Sequence, residues 1–297
     1  MSKKVYQIIT DLIIEELKKG VIPWRKPWKA GEWPKNFKTK KRYRGINVPI
    51  LASKNYISPY WLTFKQVNEL GGRIKKGEKG TVIVFWRLLE VKGDEEDSPE
   101  VVAEEEKRFI PLLRYYRVWN LEQTEGIEYE KEHKAKKEIE ILDEAERIIS
   151  DMPDKPIIKF GGKKAFYTPS TDTVQIPERE YFHSVTGFYG TIFHELGHST
   201  GHQKRLNRPG ISNFDYFGSH QYSKEELVAE MTAAFLLGHL GFWEDPEIKN
   251  SAAYIDGWLE KLEKDPRFVV QAAAQAQKAA DYILNIKDAE EDEGEDE

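Results

Sequence analysis

The stretch TIFHELGHSTGH, residues 191–202, holds three of the chain's seven histidines and a glutamate beside the first. His194 and His198 are four residues apart, so on a helix both imidazoles leave the same face, one turn from each other. That spacing lets both reach one Zn²⁺ at ~2.0–2.1 Å. Glu195 is then held beside the metal, where it can take a proton from attacking water and pass it to a leaving amine. Ile192, Phe193 and Leu196 supply the buried side of such a helix, and Gly197 permits close backbone packing. Hydrolysis of an amide is the chemistry these residues suit, with one zinc per chain.

A catalytic zinc takes three protein ligands and keeps one position open. YSKEELVAEMTAAFLLGHL offers Glu226 and Glu230, one turn apart on an otherwise apolar helix. The order of histidine helix, loop and glutamate helix resembles the gluzincin layout. That resemblance implies Glu226 as third ligand and Glu230 as the residue that orients a ligand histidine. Two alternatives stay open: Glu230 as the ligand, and Glu226 as the N3 residue of a capping box begun by Ser223. His202 is a ligand, a residue behind the ligands or a surface residue. Asp215, His220 and Tyr222 lie before the glutamate helix as further donors.

The elements that must position these residues are legible from periodicity. Ile8, Leu12, Ile13 and Leu17 form the stripe of an N-terminal helix that stops at Gly20. Its interleaved Asp11, Glu15 and Glu16 make it amphipathic and unlike a signal peptide. SPYWLTFKQVNELGG reads as a second helix. EKGTVIVFWRLLEV and RFIPLLRYYRVWNLEQ read as strands that pair across an acidic insertion at about 90–107. Trp61, Phe64 and Trp86 sit on these periodic segments and are assigned to the core. Residues 138–150 form an amphipathic helix, and AFYTPSTDTVQIP gives two short strands about a turn. Helices follow at 186–202 and 224–240, then 249–285 with a break near Asp265-Pro266. The strand Thr173–Ile176 is expected to be the edge on which an extended peptide is bound. The reading is α+β: a basic α+β domain at 1–128, a mainly helical domain with a small sheet at 129–287, and a disordered acidic tail at 288–297.

Composition adds a second function. The chain has no cysteine, which excludes disulfides, thiolate metal clusters and cysteine nucleophiles. No apolar run reaches the ~18 residues of a membrane span. Residues 1–87 hold 20 Lys+Arg against 6 Asp+Glu, a net of +14, and the remainder carries −20. Such a basic half suits a polyanion. In IPWRKPWKAGEWPKNFKTKKRYRG the rings Trp24, Trp28 and Tyr43 interleave with Arg25, Lys26, Lys29, Lys38, Lys40, Lys41, Arg42 and Arg44. RIKKGEKG adds Arg73, Lys75, Lys76 and Lys79. Cations along a groove with rings for bases are what single-stranded DNA requires.

PWRKPW, YRGINVPIL, YWLTFKQVNELGGRIKKGEKGT, VWNLEQTEG, HELGHSTGH and YSKEELVAE occur in the order seen in ArdC-type antirestriction proteins. The chain resembles that family over nearly its whole length. The resemblance implies an N-terminal single-stranded-DNA-binding domain and a C-terminal zincin-like metallopeptidase domain. It also implies a bacterial, cytoplasmic protein carried by a plasmid or related mobile element. Such a protein shields entering DNA from the recipient's restriction system, whose proteins are then its target. The competing expectation is a protein that coats single strands without cleaving anything, its zinc being structural.

Overall fold

The computed structural model describes residues 2–24, 33–91, 108–129, 138–212, 220–242 and 252–286. In order, the chain forms α1 (Ser2–Lys18), β1 (Lys35–Asn36), α2 (Asn47–Ala52), β2 (Tyr60–Thr63), α3 (Phe64–Glu69), β3 (Arg73–Ile74), β4 (Thr81–Val91), β5 (Arg108–Asn120) and β6 (Thr124–Glu125). There follow α4 (Glu138–Asp151), β7 (Ile157–Phe160), β8 (Phe166–Thr168), β9 (Thr173–Ile176), α5 (Val185–Ser199), α6 (Pro209–Ser212), α7 (His220–Leu240), α8 (Ala252–Lys264) and α9 (Phe268–Ile283). The fold is α+β. Among the described residues, no helix is long and apolar enough to cross a membrane.

Helix α1 buries Val5, Ile9, Ile13 and Leu17, one residue every turn. Ile8 and Leu12 flank that stripe and are only partly buried. Three of the four are at most 1 % exposed, so each contributes about 1.5–3 kcal/mol. Gly20 stops the helix at φ 79°. Its N–H donates to Leu17 O and that of Val21 to Glu16 O, a closure that favours a residue without Cβ.

The main N-terminal sheet runs β1-β2-β5-β4. β4 and β5 are the paired strands expected, antiparallel with Thr81 opposite Val118. The acidic insertion between them lies outside the described residues apart from its first two positions. Alternation splits this hairpin: Val82, Val84 and Leu113 join the core that holds α1. Ile83 and Val118 pack with Tyr43, Leu51 and Trp61 on the other side. Asn47 continues the ladder beyond β4, its side chain exchanging hydrogen bonds with the Val84 backbone at 2.7 and 2.8 Å. Trp61 is buried as expected, but Phe64 is 56 % exposed. It heads α3, directly after Thr63, whose capping box with Gln66 starts that helix. The Trp86 side chain is not among those described.

The C-terminal sheet runs β7-β9-β8. Thr173–Ile176 is therefore its central strand, not an edge, because β7 returns parallel on one side and β8 antiparallel on the other. Periodicity reports which face of a strand is buried, not its place in a sheet. Helices α5, α7 and α9 stack beside it, and one apolar core runs from α1 into all three. Across the boundary Trp24 meets Trp258 edge to face at 5.9 Å and Trp33 meets Phe235 at 5.7 Å.

Candidate metal centre

Helix α5 starts where Ser184 Oγ accepts the Gly187 N–H at 2.9 Å, and it buries Phe188, Ile192, Phe193 and Leu196. His194 and His198 leave its opposite side with Nε2 atoms 3.1 Å apart. α7 crosses α5 at Gly197, where an added Cβ would lie 3.1 Å from Ala229 Cα and 3.2 Å from Thr232 Cβ. That close approach brings Glu226 to the histidines: Oε2 is 3.7 Å from His194 Nε2 and Oε1 is 3.6 Å from His198 Nε2. Ligands ~2.1 Å from a tetrahedral centre stand ~3.4 Å from each other; the two ring nitrogens are near that spacing, and each has a different Glu226 oxygen 3.6–3.7 Å away. These donors form a group that could hold a metal ion. Two nitrogens and a carboxylate oxygen are a donor set that fits zinc. Gly197→Ala is expected to spread the helices, costing about 1–3 kcal/mol and weakening metal binding. Thermal unfolding with and without added metal measures both.

Glu230 stands one turn further along α7, outside the trio. It accepts the Trp24 indole N–H at 3.0 Å and the Tyr254 hydroxyl. Glu225 also stands against a ligand histidine, its Oε1 3.6 Å from His198 Nδ1. Glu225 is gripped by Arg208, Nε to Oε2 at 3.0 Å and Nη2 to Oε1 at 2.5 Å. The same guanidinium donates to Gly197 O and Thr200 Oγ1, tying the end of α5 to α7. Both partners are about 5 % exposed. Burial pushes the Glu225 carboxyl up, but Arg208 and His198 outweigh it and hold it below the usual range. Burial likewise pushes His198 down, and Glu225, Glu226 and Glu195 more than reverse it. Helix α7 begins at His220, so Ser223 is inside the helix and the capping-box alternative for Glu226 fails.

Glu195 is 7 % exposed, and its carboxyl is pushed up to about 7 by burial, with His198 pulling the other way. It accepts the backbone N–H of Tyr167, so the edge strand beside this glutamate is β8. Arg205 fixes that strand: it pairs with Asp172, contacts the Tyr167 hydroxyl at 3.2 Å and donates to Ser199 O at 2.7 Å. His202 is turned from the trio, its Nδ1 accepting the Lys204 N–H at 3.2 Å. Asp215 and the side chains of His220 and Tyr222 are outside the described residues.

The residues assigned to DNA divide. Trp24 and Tyr43 are 2 % and 3 % exposed, so their rings are core and not stacking platforms; a seam between domains and a base-binding loop call for the same residue types. Arg25, Lys26, Trp28 and Lys29 lie outside the described residues. Arg44 pairs with Asp281, and Arg42 Nη1 is 3.2 Å from His239 Nδ1, so both reach the C-terminal half. Lys38 pairs with Glu69 at 2.6 Å and Arg73 with Glu125 at 2.7 Å. Lys40 lies over the Phe37 and Tyr60 rings. Lys75 donates to Glu122 O at 2.7 Å, and Lys41, Lys76 and Lys79 are exposed.

Comparison with known proteins accounts for both halves. Residues 3–119 match the N-terminal domain of anti-restriction factor ArdC, and residues 143–275 match a zincin-like metallopeptidase. The chain is 36 % identical over 295 residues to the DNA primase TraC of Escherichia coli, covering 95 % of this chain but 20 % of that protein. It thus spans about a fifth of the length of that relative. An uncharacterised Sinorhizobium fredii protein, y4eC, is 32 % identical, with 91 % of it covered. Crystal structures of the antirestriction ArdC protein from plasmid R388 superpose with TM-scores of 0.72 (metal-free, 35 % identity) and 0.71 (Mn(II)-bound, 34 %). The metal-free one covers 94 % of this chain and 96 % of its own. With both halves matched in order over nearly the whole length, the chain belongs to the ArdC antirestriction family.

Proposed function

We propose that this chain is a cytoplasmic antirestriction protein of a plasmid or mobile element. Its first 128 residues bind entering single-stranded DNA, and the remainder is a metal-dependent peptidase directed at proteins of the recipient's restriction system. The observation that carries the reading is the meeting of His194, His198 and Glu226 beside the buried Glu195. His194, His198 and Glu226 would hold the metal, and zinc is the ion their chemistry suits, although a relative carries Mn(II). The bound ion supplies Lewis-acid polarisation of a peptide carbonyl. Glu195 takes the proton of the attacking water and returns it to the departing amine. The β8 edge, fixed by Arg205 and Asp172, offers backbone to an extended peptide.

Metal content separates the two glutamates. Mass spectrometry of native protein is expected to find about one metal per chain, zinc predominating. His198→Ala and Glu226→Ala proteins should lose it, while Glu230→Gln keeps it. Metal retained by Glu226→Ala would remove the proposed ligand set.

A further inference from the structure

A surface on the N-terminal half has the chemistry that buried Trp24 and Tyr43 lack. A groove of about 490 Å³ lies along β5, where Val5 of α1 forms one wall. Phe64, Tyr115, Arg117 and Trp119 line it. Phe64 is 56 % and Tyr115 49 % exposed. Both are on rigid elements: Phe64 on the capped first turn of α3, near Trp119 at 6.2 Å between centroids, and Tyr115 opposite Val84 in the β4–β5 ladder. Arg117 is oriented by one bond to Gly80 O at 3.1 Å. Arg114, opposite Phe85 in the ladder, lies on the other face of β5, and no described carboxylate lines the groove.

Large rings left wet on fixed backbone, with the Arg117 guanidinium beside them and no described carboxylate in the groove, suit a ligand that has flat faces and a negatively charged backbone. Nucleobases stack on such rings, and a phosphate pairs with an arginine. A purely apolar partner would leave Arg117 desolvated without a counter-charge. We infer that bases of single-stranded DNA stack in this groove on Phe64 and Tyr115, with Arg117 on an adjoining phosphate. The inference deepens the DNA-binding reading above and rests on it.

The test is fluorescence anisotropy with a labelled thirty-residue oligothymidine and the full chain. Phe64→Ala and Tyr115→Ala are each expected to weaken binding by about 5- to 150-fold. Phe64→Trp and Tyr115→Trp should restore it. Arg117→Gln should flatten the slope of log affinity against log salt by about 0.7, for the one phosphate that is no longer neutralised. Since both rings are exposed, circular dichroism should show the alanine variants folded. Wild-type binding that the alanine variants retain unchanged overturns the groove and leaves the DNA reading standing. Wild-type protein that fails to bind the oligonucleotide overturns both. A dimer that Tyr115→Ala dissociates, with DNA affinity unchanged, makes this face a self-association surface and also overturns the inference.

Discussion

Glu195→Gln protein is expected to cleave its protein substrate roughly 10²- to 10⁴-fold more slowly while keeping its metal. The amide has the size and hydrogen-bonding reach of the carboxylate but cannot accept the proton. The substitution should be nearly neutral for stability, because burial already favours the uncharged form of this side chain: its carboxyl is pushed up to about 7. New protein N-termini in restriction-proficient recipients, sequenced with native or Glu195→Gln protein present, measure cleavage. Transfer of unmodified plasmid measures protection. Loss of both with metal content unchanged is the expected outcome. Full protection by Glu195→Gln would end the peptidase reading and leave a protein that shields single strands by covering them.

Arg208→Leu is expected to have the largest effect on the fold. It removes the partner of Glu225, a carboxylate that is 5 % exposed, and leaving such a charge unpaired costs about 3–5 kcal/mol. Arg208→Lys should rescue little, since an ammonium cannot reproduce the two-pronged grip or also reach Gly197 O and Thr200 Oγ1. Because Glu225 faces His198 Nδ1, metal affinity should fall about 10- to 100-fold as well. The double variant Arg208→Leu/Glu225→Leu separates the two effects. An apolar pair in place of a buried ion pair is often no less stable, so folding should recover while metal affinity does not. Denaturant unfolding and competition with a chelating dye give the two quantities. Recovery of metal affinity along with stability would show that Glu225 acts on the fold alone.

The shared face of His194 and His198 was legible because a four-residue interval is a property of one helix wherever it packs, whereas Glu226 as their partner came from the resemblance to the gluzincin layout, with Glu230 left open. What lies behind the trio was not legible. Arg208 is 17 residues from Glu225 and carries no local signal of burial; it reads as another surface cation until the turn after α5 closes over it. Glu230 has the same interval from Glu226 as the two histidines have from each other, but it accepts from Trp24, 206 residues away, and from Tyr254. The paired strands β4 and β5 followed from their alternation, whereas the central place of β9 follows from how β7 and β8 return. Phe64 and Trp24 exchanged expected places for one reason: a ring has the same propensity whether it fills a seam or waits for a ligand.

That seam bears on what counts as a part of this protein. Trp24, Trp33, Phe235 and Trp258 meet across the boundary between the two matched halves, and each is at most 8 % exposed. An aromatic side chain buries ~150–250 Å², or about 4–6 kcal/mol at most for each ring at ~25 cal/mol per Å². Severing the halves would wet several such rings at once, a loss comparable to the ~5–15 kcal/mol that keeps a whole domain folded. The halves are therefore expected to unfold together, as one transition in calorimetry.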